Sequence, residues 1–339
     1  MANRYWVGGS GTWNTSSTAN WSTTSGGASG ASAPGISDVA LFDANSGAGT
    51  ATLGATVSVF RVTWSGYTGS FAPSTFEINC VGDGATSLWV SGTTATFIAT
   101  PTVNFTYSGA NARVVNLGGT ATNDRIVNAN ITAGTGAFSF SGTTYVNNFN
   151  CTGYGGALTA AALIVNGNLT FSATMTFVAS ASTLSFLQSG NKTITTNSVL
   201  IDRPISFGAT AANGIWTFTD ALTQGATRAF NWTEGTIKLK NGVTSTVGVF
   251  ATFGVNEKFL ESSLAASQAT LSQASGTVNA SYLTIKDSNV TGGAAWNAYA
   301  DYENIDAGNN DGWNFSLSPP YATYEPPIII RSFTQPRRF

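Results

Sequence analysis

Apolar and polar positions alternate in short runs along most of this chain. Val57-Ser-Val-Phe-Arg-Val-Thr-Trp64, Phe76-Glu-Ile-Asn-Cys-Val81, Thr102-Val-Asn-Phe-Thr-Tyr107 and Arg113-Val-Val-Asn-Leu117 follow one another. Ala137-Phe-Ser-Phe140, Leu163-Ile-Val-Asn-Gly-Asn-Leu-Thr-Phe171 and Ile215-Trp-Thr-Phe-Thr219 continue the pattern. A period of two, written in β-branched and aromatic residues, predicts strands that bury every second side chain. Clusters of Gly, Asn, Ser and Asp part the runs about every 8 to 12 residues, which fits a sandwich, a barrel or a β-solenoid. Helical spacing occurs only over 260–274, where Leu260, Leu264 and Leu271 share one face. That segment is rich in Ser and Thr and lacks caps, so it reads equally as strand and loop.

Three features select the solenoid, an all-β chain of parallel coils. The pattern runs unchanged from about residue 50 to about residue 290, further than one sandwich or barrel usually extends. A turn phrase recurs as Ser91-Gly-Thr-Thr, Gly118-Gly-Thr-Ala, Ser141-Gly-Thr-Thr, Glu234-Gly-Thr-Ile and Ser275-Gly-Thr-Val, at irregular intervals, as in a degenerate repeat. The third feature is composition. The chain of 339 residues holds 49 Thr and 29 Asn, and only 9% of it is charged, against about 25% in a typical soluble domain. In stacked coils, equivalent side chains lie about 4.8 Å apart. Rows of like charge repel at that distance, whereas rows of Thr, Asn or apolar groups hydrogen-bond or interdigitate.

The same composition narrows the chemistry. Histidine is absent, which removes the Ser–His–Asp triad, the Cys–His pair, the His zinc site and the usual base near neutral pH. Carboxylate, Lys and Tyr chemistry stays open. A net charge of −2 and a pI of about 5.1 provide no basic stripe for nucleic acid. Gly8-Gly-Ser-Gly11 has no strand before it or helix after it, so it is no phosphate loop, and no cofactor is expected. Cys80 and Cys151 are too few for a disulfide framework and read as small buried hydrophobes. Met1 to Trp6 lacks the apolar core of a secretory signal, and no run of about 18 apolar residues predicts a membrane span; synthesis in a cytosol is the expectation.

Two acidic patterns invite a chemical reading. Asp301, Glu303, Asp306 and Asp311 fall within eleven residues, and Asp306, Asn309 and Asp311 offer the oxygen donors a calcium ion takes. The spacing is not that of an EF-hand, and an Asx/Gly turn closing the last coil competes with it. A polysaccharide-cleaving solenoid would instead need carboxylates converging about 5–10 Å apart. Asp202 and Asp220, 18 residues apart, could occupy adjacent coils, and Glu234 follows 14 residues later. Scattered turn carboxylates explain the same residues, and a non-enzymatic protein is expected.

The ends differ from the middle. Residues 1–50 place Trp6, Trp13 and Trp21 among Gly, Ser and Thr; they are expected to fold over the first coils as a cap, since an open solenoid end exposes backbone and core. Residues 51–316 form the predicted body. Residues 317–339 contain Ser-Pro-Pro-Tyr-Ala-Thr-Tyr-Glu-Pro-Pro (318–327), whose prolines cannot continue a coil. They read as an extended docking arm, with Tyr321, Tyr324, Ile328, Ile329, Ile330, Arg331, Arg337, Arg338 and Phe339 meeting a partner, in part as a strand added to a neighbour's sheet edge.

Two stretches also carry a family resemblance. The opening, Arg4-Tyr-Trp-Val-Gly-Gly-Ser-Gly-Thr-Trp-Asn14 with Ala19-Asn-Trp-Ser22 and Asp38-Val-Ala-Leu-Phe-Asp43, resembles the start of many tailed-phage virion proteins and also of bacterial surface β-solenoid repeats. The later stretch, Ala280-Ser-Tyr-Leu-Thr-Ile-Lys-Asp-Ser-Asn-Val-Thr-Gly-Gly-Ala-Ala-Trp296 with Ile305-Asp-Ala-Gly-Asn-Asn-Asp-Gly-Trp-Asn-Phe315, resembles the closing segment of β-helical phage structural proteins. Together they cover roughly a fifth of the chain. The resemblance implies a virion surface protein, a tail fibre or receptor-binding component first and a capsid decoration protein second. The partners expected are other virion proteins, two further copies in a trimer, and a host surface glycan. It brings no catalytic residue. Those relatives often end near the Gly-Trp-x-Phe phrase, and residues 317–339 depart from that. A tailspike-type depolymerase is the enzymatic rival; a bacterial adhesin would need an export signal.

Overall fold

A strand that buries only one row of side chains needs a second apolar surface, and this chain supplies it by coiling on itself. The computed structural model describes residues 1–83, 89–90, 94–117, 126–208 and 213–316. Almost all of its regular structure is β, in a parallel solenoid of about eleven turns. Most strands pair with the equivalent strand one coil earlier and one coil later. Ile78 lies between Val57 and Val103, and Leu184 between Leu163 and Ile205. Between paired strands beyond the first coil, a coil takes from 18 residues (Thr277 to Ala295) to 27 (Val62 to Trp89).

Three strands per coil make three longitudinal faces. The first face begins with Ala2–Trp6, Asp38–Asp43, Arg61–Ser65 and Trp89–Val90, and its last strands are Thr244–Val247, Ala269–Gln273 and Ser288–Gly292. The second starts with Gly11–Trp13, Thr50–Leu53 and Ser70–Ala72 and later includes Leu163–Val165, Leu184–Phe186, Ile205–Phe207, Ala229–Trp232 and Val249–Thr252. The third runs from Val57–Val59 to Ile305–Asp306. Among the described residues these two terminal strands each pair on one side only, so the third face winds along the rod and does not close into a barrel.

The corners explain where predicted strands divide. Val57 to Trp64 reads as one run, yet it forms Val57–Val59 and Arg61–Ser65 on different faces. Leu163 to Phe171 becomes Leu163–Val165 and Leu169–Thr170 around Asn166 to Asn168. The segment with helical spacing forms two strands, Lys258–Ser262 and Ala269–Gln273. The recurring turn phrase also has a conformational basis. At its three described occurrences Gly142, Gly235 and Gly276 have φ of 76°, 90° and 94°, a left-handed backbone that glycine adopts without a Cβ penalty.

Inside, side chains stack in rows along the axis. Phe186 and Phe207 lie 5.0 Å apart with planes 11° from parallel, and Phe230 and Phe250 lie 5.4 Å apart at 15°. Outside, amides do the same. Asn79 donates to Ser58 (3.1 Å), Asn104 to Asn79 (2.8 Å) and Asn130 to Asn104 (2.7 Å), in four successive coils. A second series ties Asn128 to Thr102 and Asn147 to Asn128. A third joins Asn279, Asn297 and Asn314. Neutral groups in register thus bond where charges would repel.

The two kinds of row should differ in their contribution to stability. Phe207 is fully buried against Phe186, Trp216 and Phe230, and Phe207→Ala should cost about 3–5 kcal/mol. Asn104→Ala removes hydrogen bonds from a more accessible amide and should cost about 1–2 kcal/mol. Denaturant midpoints of the two variants check the order; an equal or reversed loss would mean that the amide row, not the core, holds the coils together.

Candidate functional site

At the N-terminal end the three expected tryptophans come together. Trp6 and Trp21 are register partners in the one antiparallel ladder among the described residues, which lays Trp21–Ser22 along the outer edge of Ala2–Trp6. The ring centroids of Trp6 and Trp13 lie 5.3 and 5.4 Å from Trp21, and all three rings are fully buried. Phe42 packs against each of them and stacks on Trp64 at 4.2 Å. The segment that carries Trp21 makes the first coil 36 residues long, from Ala2 to Asp38. Residues 2–13 are nevertheless coil strands, paired in parallel with Asp38–Asp43 and Thr50–Leu53. Trp6 donates its indole N–H to Gly9 O, but those of Trp13 and Trp21 have no hydrogen-bond partner. The indoles of Trp13 and Trp21 are therefore held by ring packing alone.

The acidic loop is tied into hydrogen bonds. Asp306 accepts from Gly308 N (3.0 Å) and from Asn310 Nδ2 (2.7 Å). Asn309 donates to Asp287 Oδ1 (2.6 Å), and Asp311 accepts from Gln268 Nε2 (2.9 Å). These are the contacts of a turn stacked on the preceding coil. Among the described residues no group of three metal-ligating carboxylates or cysteines is brought together. The other acids have similar work. Asp202 pairs with Arg228 at 2.6 Å, and Asp220 accepts from the amides of Thr196 and Asn197. Glu234 accepts from Asn256 and Glu261 pairs with Lys238, each one coil away. Asp202 and Asp220 thus face different partners. Glu234 and Glu257 do line one depression with Val255, Asn256 and Phe259.

Sequence reasoning missed the buried cations. Arg203 has no exposed surface, no carboxylate partner and a ring beneath it, Phe177 at 3.9 Å. Its guanidinium donates to Ala160 O and Ala161 O and to Val178 O (2.8 Å), joining three successive coils. Burial pulls its pKa down to about 10, with Arg228 adding to the shift. Arg113 does the same between Tyr107 O and Ala133 O, both at 3.1 Å, near the rings of Phe138 and Tyr154. Lys258, also buried, donates to Asn256 O at 2.7 Å. Only the Pro after Arg203 hinted at a bend; nothing adjacent to these residues predicts burial. Burial also pushes the Tyr67 and Tyr154 hydroxyls up to about 12; Tyr154 OH lies 2.9 Å from Gly136 O and from Ala157 O.

Tyr321, Tyr324, Ile328, Ile329, Ile330, Arg331, Arg337, Arg338 and Phe339, the expected docking residues, lie outside the described residues. No helix among the described residues is long and apolar enough to cross a membrane. In comparisons with known proteins, no family model, curated protein or solved structure matched the chain.

Two outcomes follow. Trp21→Ala removes the ring common to the cluster and should cost about 3–5 kcal/mol, seen as faster proteolysis within residues 14–36; cleavage unchanged from wild type would deny that ring its holding role. The hydrogen bond from Asn309, with the Ala266 amide and the Lys286 charge, keeps the Asp287 carboxyl below its ordinary value of 3.8 despite its burial. A lowered carboxylate pKa stabilises the fold above the ordinary value and that contribution is lost as pH falls through it. Acid titration of the melting temperature should therefore show a decline below about pH 4 that is shallower in Asp287→Asn.

Proposed function

We propose that this protein is a non-enzymatic structural component of a phage particle, displayed on its surface as a tail fibre or receptor-binding element. One observation carries the reading. The two stretches that resemble virion proteins, 4–43 and 280–315, are the stretches that build the first and last described coils. The resemblance therefore falls on the parts that define the ends of a rod, where attachment and display differ from simple repetition.

The physical properties suit that role. Backbone ladders along three faces, aromatic rows inside and amide rows outside make a body whose every coil is held by two neighbours, which favours resistance to unfolding and proteolysis. Asp202, Asp220 and Glu234, the carboxylates considered for a depolymerase, are engaged by Arg228, by Thr196 and Asn197, and by Asn256. Self-association as a trimer, with residues 317–339 as the anchoring arm, belongs to the same reading.

Labelling the protein in the native particle and locating it by electron microscopy tests the role. Label at the tail periphery is the expected result, label over the shell would make it a capsid decoration protein, and its absence from particles would end the virion reading. Removal of 317–339 should abolish incorporation while leaving the coil spectrum by circular dichroism unchanged. Incubation with capsular polysaccharide should release no reducing sugar; release would make the protein a depolymerase.

A further inference from the structure

Along the edge where the second face turns into the third, the coils leave a depression of about 220 Å³. Thr100, Asn147, Asn166, Gln188, Ser189 and Lys192 line it, with Ile126 the apolar residue among them. These positions come from successive coils. Val146 pairs with Val165, which puts Asn147 and Asn166 side by side, and Val165 pairs with Phe186, which brings Gln188 next. The groove therefore follows the rod axis across about five coils, roughly 20 Å at the strand spacing.

Its amides break the habit of the rest of the molecule. Asn147, in the groove, still follows it and donates to Asn128, as does Asn148. Asn166 then has no side-chain hydrogen bond among the described residues, although it is only 8% exposed. A primary amide offers two donors and an acceptor, and that of Asn166 is turned to the groove and not to a neighbouring side chain. The Gln188 amide is likewise unbonded, and Lys192 has no carboxylate or hydrogen-bond partner among the described residues. In a chain with so few charges, an unpaired ammonium beside two free amides is a set of groups left for something else.

We propose that this groove binds an acidic oligosaccharide laid along the rod axis. A sugar carboxylate meets the Lys192 ammonium, and its hydroxyls exchange hydrogen bonds with Asn166, Gln188 and Ser189. Amides and hydroxyls both donate and accept, as sugar hydroxyls require. A peptide fits less well, because the groove crosses the strands and presents no free strand edge, and Ile126 alone offers apolar contact. A nucleic acid would need more than one cation for its phosphates. The inference rests on the attachment reading above and gives it a ligand class, yet it is measured on the isolated protein.

Calorimetric titration of the full chain with hexagalacturonate and with maltohexaose, at low salt, tests it. Hexagalacturonate should bind. Lys192→Ala should weaken that binding about tenfold, the scale of one charge-assisted contact. It should leave any maltohexaose binding unchanged, while Lys240→Ala, outside the groove, alters neither. Asn166→Ala should weaken both ligands; should that variant melt early, half-exposed Lys192 carries the test alone. No binding of hexagalacturonate by the wild type, or binding indifferent to Lys192→Ala, overturns the groove. Such a result leaves the particle location standing, and a protein absent from particles but binding the acidic sugar fails the attachment reading and not this one.

Discussion

Register is the constraint on which this structure depends. Parallel strands in successive coils place each side chain directly above its equivalent, about 4.8 Å away. Whatever occupies one position must tolerate its neighbours above and below. Inside, this selects flat or branched apolar groups, and Phe186, Phe207, Phe230 and Phe250 lie in contact one after another. Outside, it selects groups that can both donate and accept. Asn104 shows why: it donates to Asn79 and accepts from Asn130, which neither a lysine nor a glutamate could do. The scarcity of charge is thus a property of the architecture. Two ion pairs, Arg228 with Asp202 and Lys238 with Glu261, join opposite charges across coils.

The corners obey a second rule. There the backbone leaves its ladder, and carbonyl groups turn inward without strand partners. Arg203 and Arg113 meet this need with several donors on one rigid plane. Desolvating a guanidinium is costly, and the lowered pKa of Arg203 expresses that cost. It is offset by carbonyls from the two preceding coils and by the face of Phe177. These cations act as fasteners where a sheet cannot.

Much of the architecture was legible in the chain because alternation and composition are local signals. The strands, the stacking and the meeting of Trp6, Trp13 and Trp21 at one end could be anticipated from them. Corners could not, because an alternating run such as Val57 to Trp64 looks the same whether it stays straight or bends at Phe60 onto another face. Nor could the role of Arg203, whose partners lie 25 to 43 residues earlier. The Asn166 groove was hidden for a related reason. A free amide and a laddered amide are the same letter, and only the next coil decides between them. In the acidic loop Asp306 and Asp311 each accept a hydrogen bond, from Asn310 and from Gln268, and Asn309 donates one to Asp287 through its amide NH2, contacts across a turn and a coil that no spacing of acidic letters displays.

The reversed strand at Trp21–Ser22 gives the molecule a direction. A stack of parallel strands can in principle grow by simple translation, with any further copy docking as one more layer, which is how cross-β aggregates propagate. A layer running the opposite way, with indoles packed beneath it, offers an arriving parallel strand the wrong pattern of donors and acceptors. On that face the incoming parallel strand is disfavoured beside Tyr5 and Trp6, while among the described residues Gly11–Trp13 and Val57–Val59 each keep one unpaired edge, so the entrance to the stack is asymmetric from face to face.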